Sequence, residues 1–205
     1  MKTSTLLLCV ALAGPLTAQE GERPADWRVR FDQANAQESD LEFVTMESGW
    51  HITTGPSGIF YDPARTAEGN FRFEGEIFLF DPGRRQREAF GLFFGGQNLD
   101  ADSQAYVYFL IRNDGRYLIK RRAGSATEDI TPWTEHAAIV RQDGGEESAK
   151  NVLAIETGAD EVSFYINDEK VASHPRPEIQ ADGVVGLRVN HGLNLHVSAL
   201  RVLGR

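Results

Sequence analysis

The residues of this 205-residue chain best suited to chemistry are aromatic and basic rather than nucleophilic. Tyr106, Tyr108, Leu110 and Arg112 alternate along the run YVYFLIR, and period-two spacing puts them on one face of a strand. Phenols beside a guanidinium make a surface that stacks on apolar ring faces and takes hydroxyls, which is the chemistry of a saccharide site. Val107, Phe109 and Ile111 form the opposite, wholly apolar face and are expected to point into the core. In the next run Tyr117, Ile119 and Arg121 share a face, and Trp50 and Trp133 are further large aromatics. The candidate ligand-binding set is Tyr106, Tyr108, Arg112, Arg121, Trp50 and Trp133.

Other chemistries find less support. Glycosidic cleavage needs two carboxylates ~5–5.5 Å or ~6.5–9.5 Å apart. Glu74-Gly75-Glu76 is read as two strand-surface acids turned to opposite faces, unable to pair unless Gly75 bulges. Asn98-Leu99-Asp100-Ala101-Asp102-Ser103 gathers several side-chain oxygens, and Ca²⁺ takes about 6–8 of them. Asp100 and Asp102 are therefore candidate calcium ligands, although Asx-rich stretches also simply make turns. No other cofactor is expected. The five histidines (His51, His136, His174, His191 and His196) show no zinc spacing. No Gly-x-Ser-x-Gly elbow offers a serine nucleophile.

Charge and targeting narrow the partners. The chain has 21 Lys+Arg against 30 Asp+Glu, a formal net charge of −9. An acidic protein without a clustered basic footprint is a poor fit to nucleic acid. Lys2, the apolar run Leu6–Leu12 and Leu16-Thr17-Ala18 form a secretory signal over residues 1–18. That run is too short for a transmembrane helix, which needs about 20 residues. The expectation is a secreted or periplasmic protein. The single cysteine, Cys9, lies inside the signal, so neither a disulfide framework nor a thiolate site is available afterwards.

The elements that must position these residues are strands. Residues 19–26 read as a flexible lead and 27–205 as one domain. Trp27–Phe31 alternates apolar and charged residues, and short strands follow at Leu41–Met46 and Gly49–Thr53. Asn70–Phe80 alternates most clearly. Glu88–Gly95, Tyr106–Arg112 and Arg116–Arg122 come next, the last two joined by Asn113-Asp114-Gly115, a hairpin signal. A polar loop is expected through Thr131-Pro132-Trp133, then a strand at Ala137–Arg141. Asn151–Glu156 and Glu161–Ile166 form another hairpin, and Gly183–Asn190 and Leu195–Leu203 end the chain. Many short strands with turn signals and no long helix specify an all-β antiparallel sandwich or barrel.

The order of elements from Trp50 onward resembles the concanavalin A-like lectin/glucanase jelly rolls. More narrowly it resembles the laminin-G-like and 3-keto-disaccharide hydrolase (DUF1080) domains of secreted bacterial proteins. The residues carrying the likeness include Gly49-Trp50-His51-Ile52-Thr53, the Tyr106–Arg122 hairpin, Asn151-Val152-Leu153, Phe164-Tyr165-Ile166-Asn167 and Val185-Gly186-Leu187-Arg188-Val189. The resemblance implies a jelly-roll sandwich whose partner is a carbohydrate or cell-surface glycan. It implies two alternatives: a glycoside hydrolase of 3-keto-disaccharide type, or a calcium-dependent laminin-G-like adhesion module. The Glu-x-Asp-x-(x)-Glu strand motif of jelly-roll glucanases is absent.

Overall fold

Asn113-Asp114-Gly115 turns the chain where its residues demand it: Gly115 has φ +85°, and its N–H donates to the Arg112 carbonyl at 3.0 Å. The computed structural model describes residues 21–204. The expected signal, residues 1–18, falls outside the described residues.

Among the described residues fourteen strands form two seven-stranded sheets. The first sheet runs β1 (Arg28–Phe31), β4 (Gly58–Ala67), β13 (Gly183–Val189), β6 (Ala89–Gln97), β7 (Ala105–Arg112), β8 (Arg116–Ala123) and β9 (Ala126–Glu135). The second runs β12 (Glu169–Pro175), β11 (Glu161–Ile166), β10 (Ser148–Thr157), β5 (Phe71–Phe80), β14 (Asn194–Gly204), β3 (Trp50–Thr54) and β2 (Leu41–Thr45). All the pairings are antiparallel.

The strict alternation in β5 buries Phe71, Phe73, Ile77 and Leu79 against the first sheet. Val107, Phe109 and Ile111 face them, as their spacing requires. Phe164 of β11 meets Phe109 at 5.3 Å and Phe94 at 6.0 Å between ring centroids, tying the sheets together.

Two segments differ from their reading in the sequence. Residues 126–135, expected as a loop, form β9. As an edge strand it needs no continuous apolar face, and an edge accommodates Pro132. Residues 137–141, expected as a strand, are not one. Side-chain amides take the place of a neighbouring strand there. Asn151 Nδ2 donates to the Val140 carbonyl at 2.8 Å and its Oδ1 accepts from the Val140 N–H at 2.9 Å. Asn167 donates to the Ala138 carbonyl at 2.8 Å, and Asn113 brackets Gln142 in the same two-way manner.

Gly21 and Glu22, read as part of a flexible lead, hydrogen-bond to β2. The Gly21 N–H donates to the Thr45 carbonyl, and the Thr45 N–H donates to the Glu22 carbonyl, each at 2.8 Å.

Candidate functional site

The pleat that sends Val107, Phe109 and Ile111 inward sends Tyr106, Tyr108, Leu110 and Arg112 to the outer face of the first sheet. Register extends that face across the sheet. Tyr108 pairs with Lys120 on one side and Phe93 on the other, and Lys120 pairs with Asp129. Phe93 pairs with Gly186, Gly186 with Tyr61, and Tyr61 with Arg28. The adjacent row holds Leu118, Leu110, Gly91, Arg188, Ile59 and Arg30. Tyr106 pairs with Arg122.

The floor of this face is aromatic and tightly packed. Phe93 lies 5.3 Å from Tyr106, and Tyr106 lies 5.7 Å from Tyr108 between centroids. Gly186 makes the packing feasible, since a Cβ there would stand 2.6 Å from Phe93 Cε1. Both tyrosines are buried, Tyr106 at 2% and Tyr108 at 7% exposure, so their rings are covered rather than free for stacking.

A charged layer covers them. Arg188 donates through both Nη atoms to the two oxygens of Asp32, at 2.7 Å through Nη1. Arg122 Nη2 approaches the same carboxylate at 3.6 Å. The Arg188 guanidinium also lies 5.7 Å from the Tyr108 ring centroid. Arg30 Nη1 donates to the Leu99 carbonyl at 2.8 Å. Burial pushes the Asp32 carboxyl up, but the hydrogen-bonded Arg188, with Arg122 and His191, outweighs that and holds it below the ordinary carboxylate range. Asp32 is therefore ionised at neutral pH and cannot serve as a proton donor. Burial pushes Tyr108 up to about 12 and raises Tyr106 as well, so both phenols are neutral donors.

The six residues singled out in the sequence fall in three places. Tyr106, Tyr108, Arg112 and Trp133 share the outer face, with the Arg112 guanidinium 4.0 Å from the Trp133 ring centroid and bonded to Asp114. Arg121 instead follows Tyr117 and Ile119 on the inward side. It donates to the Glu178 carbonyl at the rim of a cleft of about 800 Å³ at the edge of the sandwich. Trp50 belongs to the second sheet, 4.8 Å from Trp27, with Arg65 over both rings at 5.7 Å, beside a separate cleft of about 750 Å³.

The Asp100 carboxylate accepts from the Tyr61 hydroxyl at 2.5 Å and from Arg28, and Asp102 lies 3.8 Å from Arg30. Among the described residues no group of three or more His, Cys, Asp or Glu gathers to hold a metal.

Asp32, Arg30, Arg122 and Arg188 were not among the sequence candidates. Arg188 carried the readable signal, a charge in the middle of the apolar run GVVGLRV. Asp32 gave none, because it lies in a polar stretch and acts across 156 residues.

The acids of β5 correct an expectation. Residues two apart share a face, so Glu74 and Glu76 both stand outward on the second sheet. Each is engaged: Glu74 by Arg72 at 3.0 Å, and Glu76 by Lys150 at 2.8 Å and Ser198 at 2.6 Å. Hydrogen bonds from Lys150 and Ser198 hold the Glu76 carboxyl low, whereas a glycosidase general acid needs a raised one.

On the same outer face His196 sits directly opposite His51. Burial and His51 lower the His196 pKa from its usual 6.5, against a smaller opposing pull from Glu76. A histidine with a depressed folded pKa takes up its proton in the unfolded state first. Stability is therefore full above about pH 6.5 and falls as pH drops through the folded value. Thermal unfolding followed from about pH 8 to about pH 5 is expected to show that loss, and His196→Gln to flatten it. An equally steep profile in the variant would assign the loss to other groups.

No family model and no curated protein matches the chain. Solved structures do. The carbohydrate binding module CBM66 from Bacillus subtilis aligns over 87% of this chain and 96% of its own, at 14% identity and TM-score 0.63. The Bacillus licheniformis β-glucanase aligns over 91% and 97%, at 10% identity and TM-score 0.62. A Bacillus subtilis protein of unknown function with a galectin-like fold aligns over 92% and 100%, at 11% identity and TM-score 0.60. Among the described residues no helix is long and apolar enough to cross a membrane. The chain has the concanavalin A-like jelly-roll fold, an architecture it shares with carbohydrate-binding and glucanase structures.

Proposed function

We propose that this is an exported carbohydrate-binding protein whose ligand lies on the outer face of the first sheet. The observation that carries the reading is Arg188. It is a guanidinium with 8% of its side-chain surface exposed, placed mid-strand on the outer face of the first sheet beside the buried Tyr108 ring. Burying an ion pair is weak support for stability by itself, so such a pair in the centre of an outer sheet face points to a ligand. Around it stand the Tyr106 and Tyr108 phenols, Lys120 paired with Asp129 at 2.8 Å, and Arg112 stacked on Trp133. Polar groups on an aromatic floor suit hydroxylated rings. The jelly-roll neighbours, a carbohydrate binding module among them, agree with that chemistry. The signal at residues 1–18 supplies the reason to expect export.

Binding is favoured over glycosidic cleavage because Asp32, the carboxylate of the cluster, is locked to Arg188 in its ionised form.

Calorimetric titration with a panel of neutral and acidic oligosaccharides tests the proposal. Tyr108→Phe removes one hydroxyl and leaves the floor packed. It is expected to weaken binding about fivefold, the value of one hydrogen bond of ~1 kcal/mol. Tyr165→Phe, on the outer face of the second sheet, is expected to bind as wild type does. Equal binding by wild type and Tyr108→Phe, with loss in Tyr165→Phe, would move the site to the other sheet.

A further inference from the structure

The strands of the first sheet direct Arg28, Arg30, Arg112, Lys120, Arg122 and Arg188 to its outer face, where Arg28, Arg112 and Lys120 are each paired with a carboxylate of their own, Asp100, Asp114 and Asp129. At the centre two guanidiniums, Arg122 and Arg188, share one carboxylate, Asp32, and Arg30 stands two strands from Arg188 in the same row, bonded to the Leu99 carbonyl. Asp102 is fully exposed and stands 3.8 Å from Arg30. Positive charge is in excess over the Tyr106 ring.

A second observation points the same way. Arg122 Nε and Arg188 Nε are both buried, and among the described residues neither N–H has a hydrogen-bond partner. Buried donors without acceptors are uncommon and call for a specific explanation. Here two occur side by side in a cluster already short of negative charge, on the face assigned above to a ligand.

We infer that the ligand of this face is an acidic saccharide, whose carboxylate or sulfate enters beside Arg122 and supplies the charge that Asp32 alone does not. This rests on the carbohydrate-binding reading above. Guanidinium groups suit it because their planar fork takes two oxygens of a carboxylate or sulfate at once. Arg122 keeps 17% of its side-chain surface exposed, against 8% for Arg188, so approach is from the Arg122 side. Arg188 then acts as a fixed charge, oriented by Asp32.

The test is titration of the mature protein with tetragalacturonate, with its methyl ester, and with a neutral gluco-tetrasaccharide. The expected result is at least about tenfold tighter binding of the acid than of its ester, as one charge-assisted pair provides. The preference is expected to shrink as salt rises from about 0.05 M to about 0.5 M. Arg122→Gln is expected to abolish the preference. Lys150→Gln makes the same change in net charge on the second sheet and is expected to keep it. Equal affinity for acid and ester, or loss of the preference in Lys150→Gln, would overturn the acidic specificity and leave carbohydrate binding standing. Failure of all three saccharides to bind would overturn the specificity together with the carbohydrate reading for these sugars.

Discussion

Asp32→Ala is expected to lower the unfolding free energy by about 3 kcal/mol, the cost of leaving a buried charge without its partner. The residue itself is a loop acid with 26% of its side-chain surface exposed, so its position alone would suggest a neutral change. The cost arises at Arg188, which would remain buried beside Tyr108 with no carboxylate. For a chain of this size each kcal/mol corresponds to roughly 2–4 °C in Tm. Arg188→Met in the Asp32→Ala background removes the orphaned charge at similar volume and is expected to return most of the loss. Denaturant unfolding of the single and double variants checks this. A double variant no more stable than Asp32→Ala would mean that the pair is not the source of the effect. The same pair sets an acid limit. Because Arg188 holds the folded Asp32 pKa below the ordinary carboxylate value of 3.8, the stabilisation is complete above about pH 4 and is lost as pH falls through the folded value.

Phe164→Ala is expected to cost about 3–5 kcal/mol, the range for deleting a buried aromatic side chain. Phe164 is fully buried, and its ring meets Phe94 and Phe109 of the first sheet and His174 of β12. Truncation leaves a void between the sheets that rigid strands on both sides cannot collapse into. Leu203→Ala, 48% exposed near the chain end, is the matched control and is expected to change stability by less than about 0.5 kcal/mol. The midpoint should shift in Phe164→Ala without a change in denaturant slope. A loss below about 1 kcal/mol would show that the sheets are not held together at this point.

The two predictions also mark what the sequence makes legible. Phe164 lies in a run whose period is plain, and so do Phe71, Phe73, Val107 and Phe109. The strand alternation that buries them is a local property, and an all-β sandwich or barrel follows from it, whereas the jelly-roll topology was implied by the resemblance. The Tyr106 and Tyr108 face was legible for the same reason. The charged layer over it was not. Asp32 and Arg188 are joined only when β1 and β13 come to flank β4, and no spacing in the chain encodes that meeting. β9 was missed because an edge strand needs no apolar period. Residues 137–141 were misread because Asn113, Asn151 and Asn167 supply the hydrogen bonds that a partner strand would have given. The Glu74–Glu76 relation was open to a correct reading from period two alone.

The central claim is that ligand binding takes place on the outer face of the first sheet. Two-dimensional ¹H–¹⁵N NMR of the mature protein, with backbone and arginine Nε–H signals assigned, tests it most directly during titration with tetragalacturonate. Shifts are expected on β6, β7, β8 and β13 and at the Nε–H of Arg122 and Arg188, with β5, β10 and β14 unmoved. Saturable shifts confined to the second sheet, or to the clefts beside Trp50 and Arg121, would contradict the account.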